Sequence, residues 1–332
     1  MTSFGATILD ADGLKLTADE KSFFRDVTPF GFILFARNID TPEQVRALCD
    51  ELRDSVGRDA PITIDQEGGR VQRLRAPLWT EWLPPLDFVA AAGEHAEEAM
   101  YLRYRLIAAE LFDLGIDSNC APMVDVACDA THDFLRNRCY GTHAETVARL
   151  GRAASDGMLA GGVLPVIKHI PGHGRATLDS HYDLPRVMAE LDELTASDFA
   201  PFAALKDVPM GMTAHLVYEA LDVLPATLSP KVMSVIRNDI GFDNLIMTDD
   251  ISMKALSGTL TQISQGALDA GCDVILHCNG TLDARREVAE AAGKMTFAAQ
   301  TRAERALAAR RPPDDIDIPA VQAQLGALLN GA

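Results

Sequence analysis

A chain of 332 residues with 48% hydrophobic content has ample apolar material for a buried core, and 23% charged with 6% aromatic residues does not describe a disordered chain. A formal charge of −18 with no long run of Lys or Arg argues against a nucleic-acid partner. Six cysteines with no CxxC pair argue against a zinc cage or a disulfide framework, and no window of 18 apolar residues argues against a membrane span. The first 16 residues lack the basic and apolar regions of a secretory signal, so a cytoplasmic protein with reduced thiols is expected.

Eight short apolar runs are predicted as strands: residues 4–10 (FGATILD), 31–35 (GFILF), 61–65 (PITID), 117–124 (DSNCAPMV), 163–168 (VLPVIK), 208–213 (VPMGMT), 244–248 (NLIMT) and 272–277 (CDVILH). Their continuity suits strands buried on both faces. Amphipathic spacing predicts helices over 41–55, 96–114, 144–159, 229–239 and 260–270. The first of these opens with Thr41 as N-cap and Pro42 at the first helical position. Glycines at 115, 161, 241 and 271 stand where left-handed caps would end a helix before the next strand.

Strands alternating with helices imply a parallel sheet, and eight such units close naturally into an α/β (β/α)8 TIM barrel. The alternative is a doubly wound open sheet. No low-complexity linker divides the chain, so residues 1–311 are taken as one barrel domain. The pair Pro312-Pro313 then introduces a C-terminal appendage, 312–332, with a short helix over 320–329.

Polar residues gather at the carboxyl ends of the predicted strands: Asp10, Arg37-Asn38, Asp65, Asp125, Lys168-His169, His215, Asp249-Asp250 and His277-Asn279. Any one of them is unremarkable as a helix cap. Together they mark one mouth of a barrel, where active sites are built. Three motifs stand out. In Asp65-Gln66-Glu67-Gly68-Gly69-Arg70-Val71-Gln72-Arg73 the paired glycines allow a tight turn, and a carboxylate beside arginines can grip hydroxyl groups. The stretch from Lys168 to His181 holds three histidines in a Gly/Pro-rich loop, and Asp179 can orient His181 through a hydrogen bond. In Thr248-Asp249-Asp250, one acid can enter the mouth while the other caps or braces the loop.

With these motifs in hand, the sequence resembles glycoside hydrolase family 3 and its compact bacterial β-N-acetylglucosaminidase branch. The resemblance is carried in order by GFILFARN, IDQEGGRVQRL, GIDSNCAPMVDV, KHIPGHGRATLDSH, MTAHLVY, IMTDDISM and AGCDVILHCN. It implies a retaining mechanism with Asp249 as nucleophile, His181 as acid/base and Asp179 as its dyad partner. It implies sugar binding by Asp65, Arg73, Arg138, Lys168 and His169. Arg138 is followed here by Cys139-Tyr140 where the family more often has Ser-Phe. The implied substrate is terminal β-linked N-acetylglucosamine on 1,6-anhydro-muropeptides in cell-wall recycling, cleaved by a monomer without metal or organic cofactor. Loop 170–182 is expected to be a mobile gate, and a histidine in place of a carboxylic acid leaves phosphorolysis open as a side activity. Two rivals remain. One is a metal-dependent barrel hydrolase using His169, His173 and His181 with Asp249. The other is a non-catalytic sugar-binding protein on the same scaffold. The role of His173 stays open.

Overall fold

The computed structural model describes residues 3–180 and 182–330. Strands form at all eight predicted places: β1 (Gly5–Asp10), β2 (Pro29–Leu34), β3 (Ile62–Ile64), β4 (Ser118–Asn119), β5 (Leu164–Ile170), β6 (Met210–Thr213), β7 (Leu245–Met247) and β8 (Ile275–His277). Every one is buried along its length, which is why each reads as an unbroken apolar run rather than an alternation.

The strands lie in two four-stranded parallel sheets, ordered β8-β1-β2-β3 and β7-β6-β5-β4. Further backbone bonds join the sheets at both edges. Between β3 and β4, Asp117 N–H donates to Ile62 O at 3.2 Å and Cys120 N–H to Ile64 O at 2.8 Å. Between β7 and β8, Met247 and Val274 form a parallel bridge, and Thr248 N–H donates to Val274 O at 3.0 Å.

Helices follow most strands and start where the sequence offers caps. Thr41 accepts from Gln44 N–H ahead of helix Pro42–Val56. Thr17 and Thr259 form capping boxes with Glu20 and Gln262 ahead of Ala18–Val27 and Leu260–Ala270. Helices Pro85–Ala92, Leu282–Ala292 and Phe297–Ala308, like Ala18–Val27, were not among the predicted ones.

Three local expectations are corrected. Helix 229–239 is α-helical only over Pro230–Ser234 and continues as a wider π turn over Val235–Asp239. The fourth strand pairs as a strand over two residues only, because Pro122 has no N–H to give a ladder. Gly161 is not left-handed (φ −89°); Gly162 takes that conformation at φ 79°. Gly161 is instead needed for close approach, since a Cβ there would lie 2.3 Å from Ala108 Cβ.

The C-terminal helix runs Ile318–Asn330, and the segment before it is tied to helix Ala144–Ala160 by Arg311 Nε to Leu159 O (2.7 Å) and Asp314 N–H to Ala160 O (2.8 Å). Leu325 of that helix joins the main apolar core. Among the described residues no helix is long and apolar enough to cross a membrane.

Candidate active site

The carboxyl ends of the strands surround an open cavity of about 850 Å³. Asp65 enters it after β3, Lys168 and His169 from β5, Asp249 and Asp250 after β7, and Asn279 after β8. Arg73 and Arg138 reach it from the intervening loops. The Asp matched to the nucleophile and all five residues matched to sugar binding thus share one cavity. Lys168 and His169 are consecutive and both line it, which a regular strand would not allow. The β5–β6 register shifts between Lys168 and Ile170, and that irregularity turns both inward.

One wall is a closed set of charges. Asp65 accepts from Lys168 Nζ at 3.0 Å and from Arg73 Nη2 at 2.9 Å. Glu67 is fully buried and accepts Arg138 in bidentate fashion, from Nε at 3.0 Å and Nη2 at 2.8 Å; Lys168 Nζ lies 2.6 Å from the same carboxylate. Burial alone would raise the Asp65 and Glu67 carboxyl pKa values. The neighbouring cations outweigh it, holding Asp65 far below the usual carboxylate range and bringing Glu67 down to about 2. Burial pulls on Lys168 and Arg138 in the opposite sense, and the same carboxylates overcome it and raise both.

Glu67 belongs to the short antiparallel hairpin Gln66–Gly68/Val71–Gln72 that the paired glycines turn. Sequence reasoning placed it in a motif but assigned it no role. Its alternation with Asp65 was the available signal, since both carboxylates reach Lys168.

The opposite wall carries the histidines. His169 Nδ1 bonds Asp125 Oδ2 at 2.8 Å, and its Nε2 lies 3.9 Å from Asp249 Oδ2. Asp125 is buried; burial raises its carboxyl pKa, but His169 and His173 prevail and lower it. The His173 ring packs 5.4 Å from His169, and neither of its nitrogens has a hydrogen-bond partner among the described residues. Burial, then the neighbouring His169, pushes its pKa down to about 4.

Asp249 keeps 21% of its side-chain surface open and accepts from Asp250 N–H at 2.8 Å. Against the upward effect of burial, His169 and His215 hold its carboxyl below the ordinary range. It is therefore an ionised, accessible carboxylate, as a nucleophile must be.

Asp250 also lines the cavity, but its carboxylate is engaged by the loop. It accepts from Ser252 N–H (3.0 Å), Ser252 Oγ (2.7 Å) and Cys278 N–H (3.1 Å), and burial leads the effects that raise its pKa to about 6. Asp249 is thus partly open to the mouth, and the Asp250 carboxylate is bonded within the loop.

Asp179 is half-buried and outside the lining, and His181 lies outside the described residues. The first part of the loop expected to move is anchored. His173 N–H donates to Asp125 at 2.6 Å, Arg175 Nε to Asp198 at 2.7 Å, and Tyr218 Oη to Gly172 O. Gly174 sits so tightly on Val126 that a Cβ would lie 1.9 Å from its carbonyl oxygen.

A further support also went unassigned: buried Asp10 accepts from Asn279 N–H (2.7 Å), Arg285 Nε (2.6 Å) and Arg37. Arg37 Nη1 in turn donates to Asn279 Oδ1 at 2.6 Å, which fixes that part of the cavity wall. Among the described residues no group of three or more His, Cys, Asp or Glu side chains is arranged to hold a metal ion.

Residues 7–308 match the model of the glycosyl hydrolase family 3 N-terminal domain. A β-hexosaminidase of Methylococcus capsulatus is 37% identical over 289 residues, 86% of this chain and 85% of that protein. One from Pseudomonas aeruginosa is 36% identical over 294 residues, 86% of each chain. The crystal structure of native NagZ from Neisseria gonorrhoeae matches with a TM-score of 0.84 at 31% identity, covering 99% of this chain and 96% of that one. The pattern of motifs, the cavity they build and these relatives agree: the chain belongs to glycoside hydrolase family 3, to its NagZ-type β-hexosaminidase group, and is a glycoside hydrolase.

Proposed function

We propose that the enzyme is a retaining exo-β-N-acetylglucosaminidase acting on terminal β-linked N-acetylglucosamine of peptidoglycan fragments. The observation that carries this is Asp249: an ionised carboxylate open to a cavity whose other polar groups are those a sugar's hydroxyls would meet. In this reading an Asp249 oxygen attacks the anomeric carbon as the bond to the aglycone oxygen breaks, and His181 gives that oxygen a proton. Water then attacks the glycosyl-Asp ester, His181 takes the water's proton, and Asp249 leaves as carboxylate. Asp179 orients His181, and Asp65, Arg73, Arg138, Lys168 and His169 hold the sugar. The relatives' printed names support the hexosamine.

The same reading takes the eight strands as one closed (β/α)8 barrel over residues 1–311, supported by the backbone bonds at both sheet edges, with 312–332 packed on it. It places the enzyme in the cytoplasm, consistent with six free thiols, as a monomer. It uses no metal. Release of 4-nitrophenolate from the β-N-acetylglucosaminide is expected to far exceed that from the matching glucoside and to survive EDTA. Equal rates on both would reject the hexosamine, and loss with EDTA would favour the metal-dependent rival.

A further inference from the structure

We propose that Asp125, which does not line the cavity, is the positioning residue for His169: it holds the imidazole as the Nδ1–H tautomer and leaves Nε2 as the nitrogen that meets the bound sugar beside Asp249. This deepens the reading above and rests on Asp249 being the nucleophile.

The geometry is a single buried carboxylate serving three donors. Its Oδ1 accepts the backbone N–H of His169 at 3.2 Å and of His173 at 2.6 Å; its Oδ2 faces His169 Nδ1 at 2.8 Å. An ionised carboxylate only accepts hydrogen bonds, so the ring nitrogen facing it must donate. On the other side of the ring, Nε2 is 3.9 Å from Asp249 Oδ2, too far for a hydrogen bond that would draw the proton across.

The chemistry follows from that assignment. Neutral His169 presents a lone pair at Nε2, which a sugar hydroxyl can meet as donor. The other tautomer would put an N–H at Nε2 and offer the sugar hydroxyl no lone pair there. Asp125 also ties the segment that follows β4 to both ends of the His169–His173 stretch, so ring orientation and loop path are set by one group.

Long-range ¹H–¹⁵N correlation spectra of the full chain carrying ¹⁵N-histidine test this, with His169 assigned by loss of its signals in His169→Gln. A protonated Nδ1 and unprotonated Nε2 are expected in the neutral wild-type ring. Asp125→Asn keeps the two backbone bonds through its amide oxygen but turns an NH₂ toward Nδ1. It is therefore expected to move the proton to Nε2 and to lower kcat/KM on the order of 10- to 100-fold, with unchanged circular dichroism. An Nε2–H ring in the wild type, a doubly protonated ring throughout, or an unchanged tautomer in Asp125→Asn overturns the proposal. If Asp125→Asn does not fold, the wild-type spectrum alone decides. Wild-type rates in Asp249→Ala would instead overturn the nucleophile reading and leave the tautomer result standing.

Discussion

The two walls of the cavity hold similar charges in opposite ways. On one, Asp65 and Glu67 are matched by Arg73, Arg138 and Lys168 at 2.6–3.0 Å, each carboxylate answering to two cations. On the other, Asp125 and Asp249 face His169 and His173 through one close ring contact, a 3.9 Å gap and an unpartnered imidazole. The first set cannot change protonation in the neutral range without unmaking its own bonds, which suits the template for an uncharged, hydroxyl-rich ligand that the proposed function requires. The second set keeps groups whose charge is free to respond when a bond forms or a proton moves. In the proposed reading the first set binds, and the second carries the chemistry while His169 also meets the sugar.

The sharpest way to break this division is Asp249→Ala. Turnover should fall on the order of 10⁴-fold or more with the fold intact, read by 4-nitrophenolate release beside circular dichroism. A near-normal rate would remove the chemical role from the histidine wall. Next comes Glu67→Gln, which strips a buried carboxylate from two cations and should destabilise by about 3–5 kcal/mol in urea titration. A loss below about 1 kcal/mol would mean that the first wall is not the closed set its distances describe.

Stability against pH should separate the walls. Glu67 is depressed to about 2, below its unfolded value of about 4.3, so its stabilisation is complete above about pH 4.3 and lost as pH falls toward 2. His173 is a base depressed to about 4 from an unfolded value of about 6.5. The unfolded chain takes that proton first, so stability is lost as pH falls from about 6.5 to 4, by about 3 kcal/mol. His173→Leu should abolish that upper loss and keep the lower one; an unaltered curve would show that the ring is protonated or solvated in the fold. The smallest effect is expected of Asp250→Asn. Its oxygen can still accept from Ser252 and Cys278 N–H, so kcat/KM should stay within about tenfold of wild type, and a collapse like that of Asp249→Ala would place Asp250 in the chemistry.

Strands were legible because burial on both faces leaves a compact apolar signature, as in NLIMT and CDVILH. Resemblance then brought Asp65, Arg138, Lys168, His169 and Asp249 to one cavity despite separations of up to 184 residues. The supporting carboxylates were not legible. Asp125 meets His169 across 44 residues and Glu67 meets Arg138 across 71, pairings that no local spacing announces. Nor did local pattern distinguish Gly161 from Gly162, because the choice depends on how closely Ala108 approaches from another helix.

Asn279 stands in the cavity wall with φ at 59°, its backbone N–H taken by Asp10 and its side chain by Arg37. A left-handed backbone costs most side chains roughly 1–2 kcal/mol, and only glycine, with Asn and Asp behind it, adopts it readily. Reshaping of this enzyme by saturation mutagenesis therefore meets a narrow alphabet at that position. Glycine would keep the turn but take one partner from Arg37, which Asp10 and Ala11 O would still hold, whereas a branched or aromatic side chain would have to rebuild the turn first. Efforts to enlarge or repurpose the cavity have more freedom at neighbouring wall positions with ordinary backbone than at Asn279.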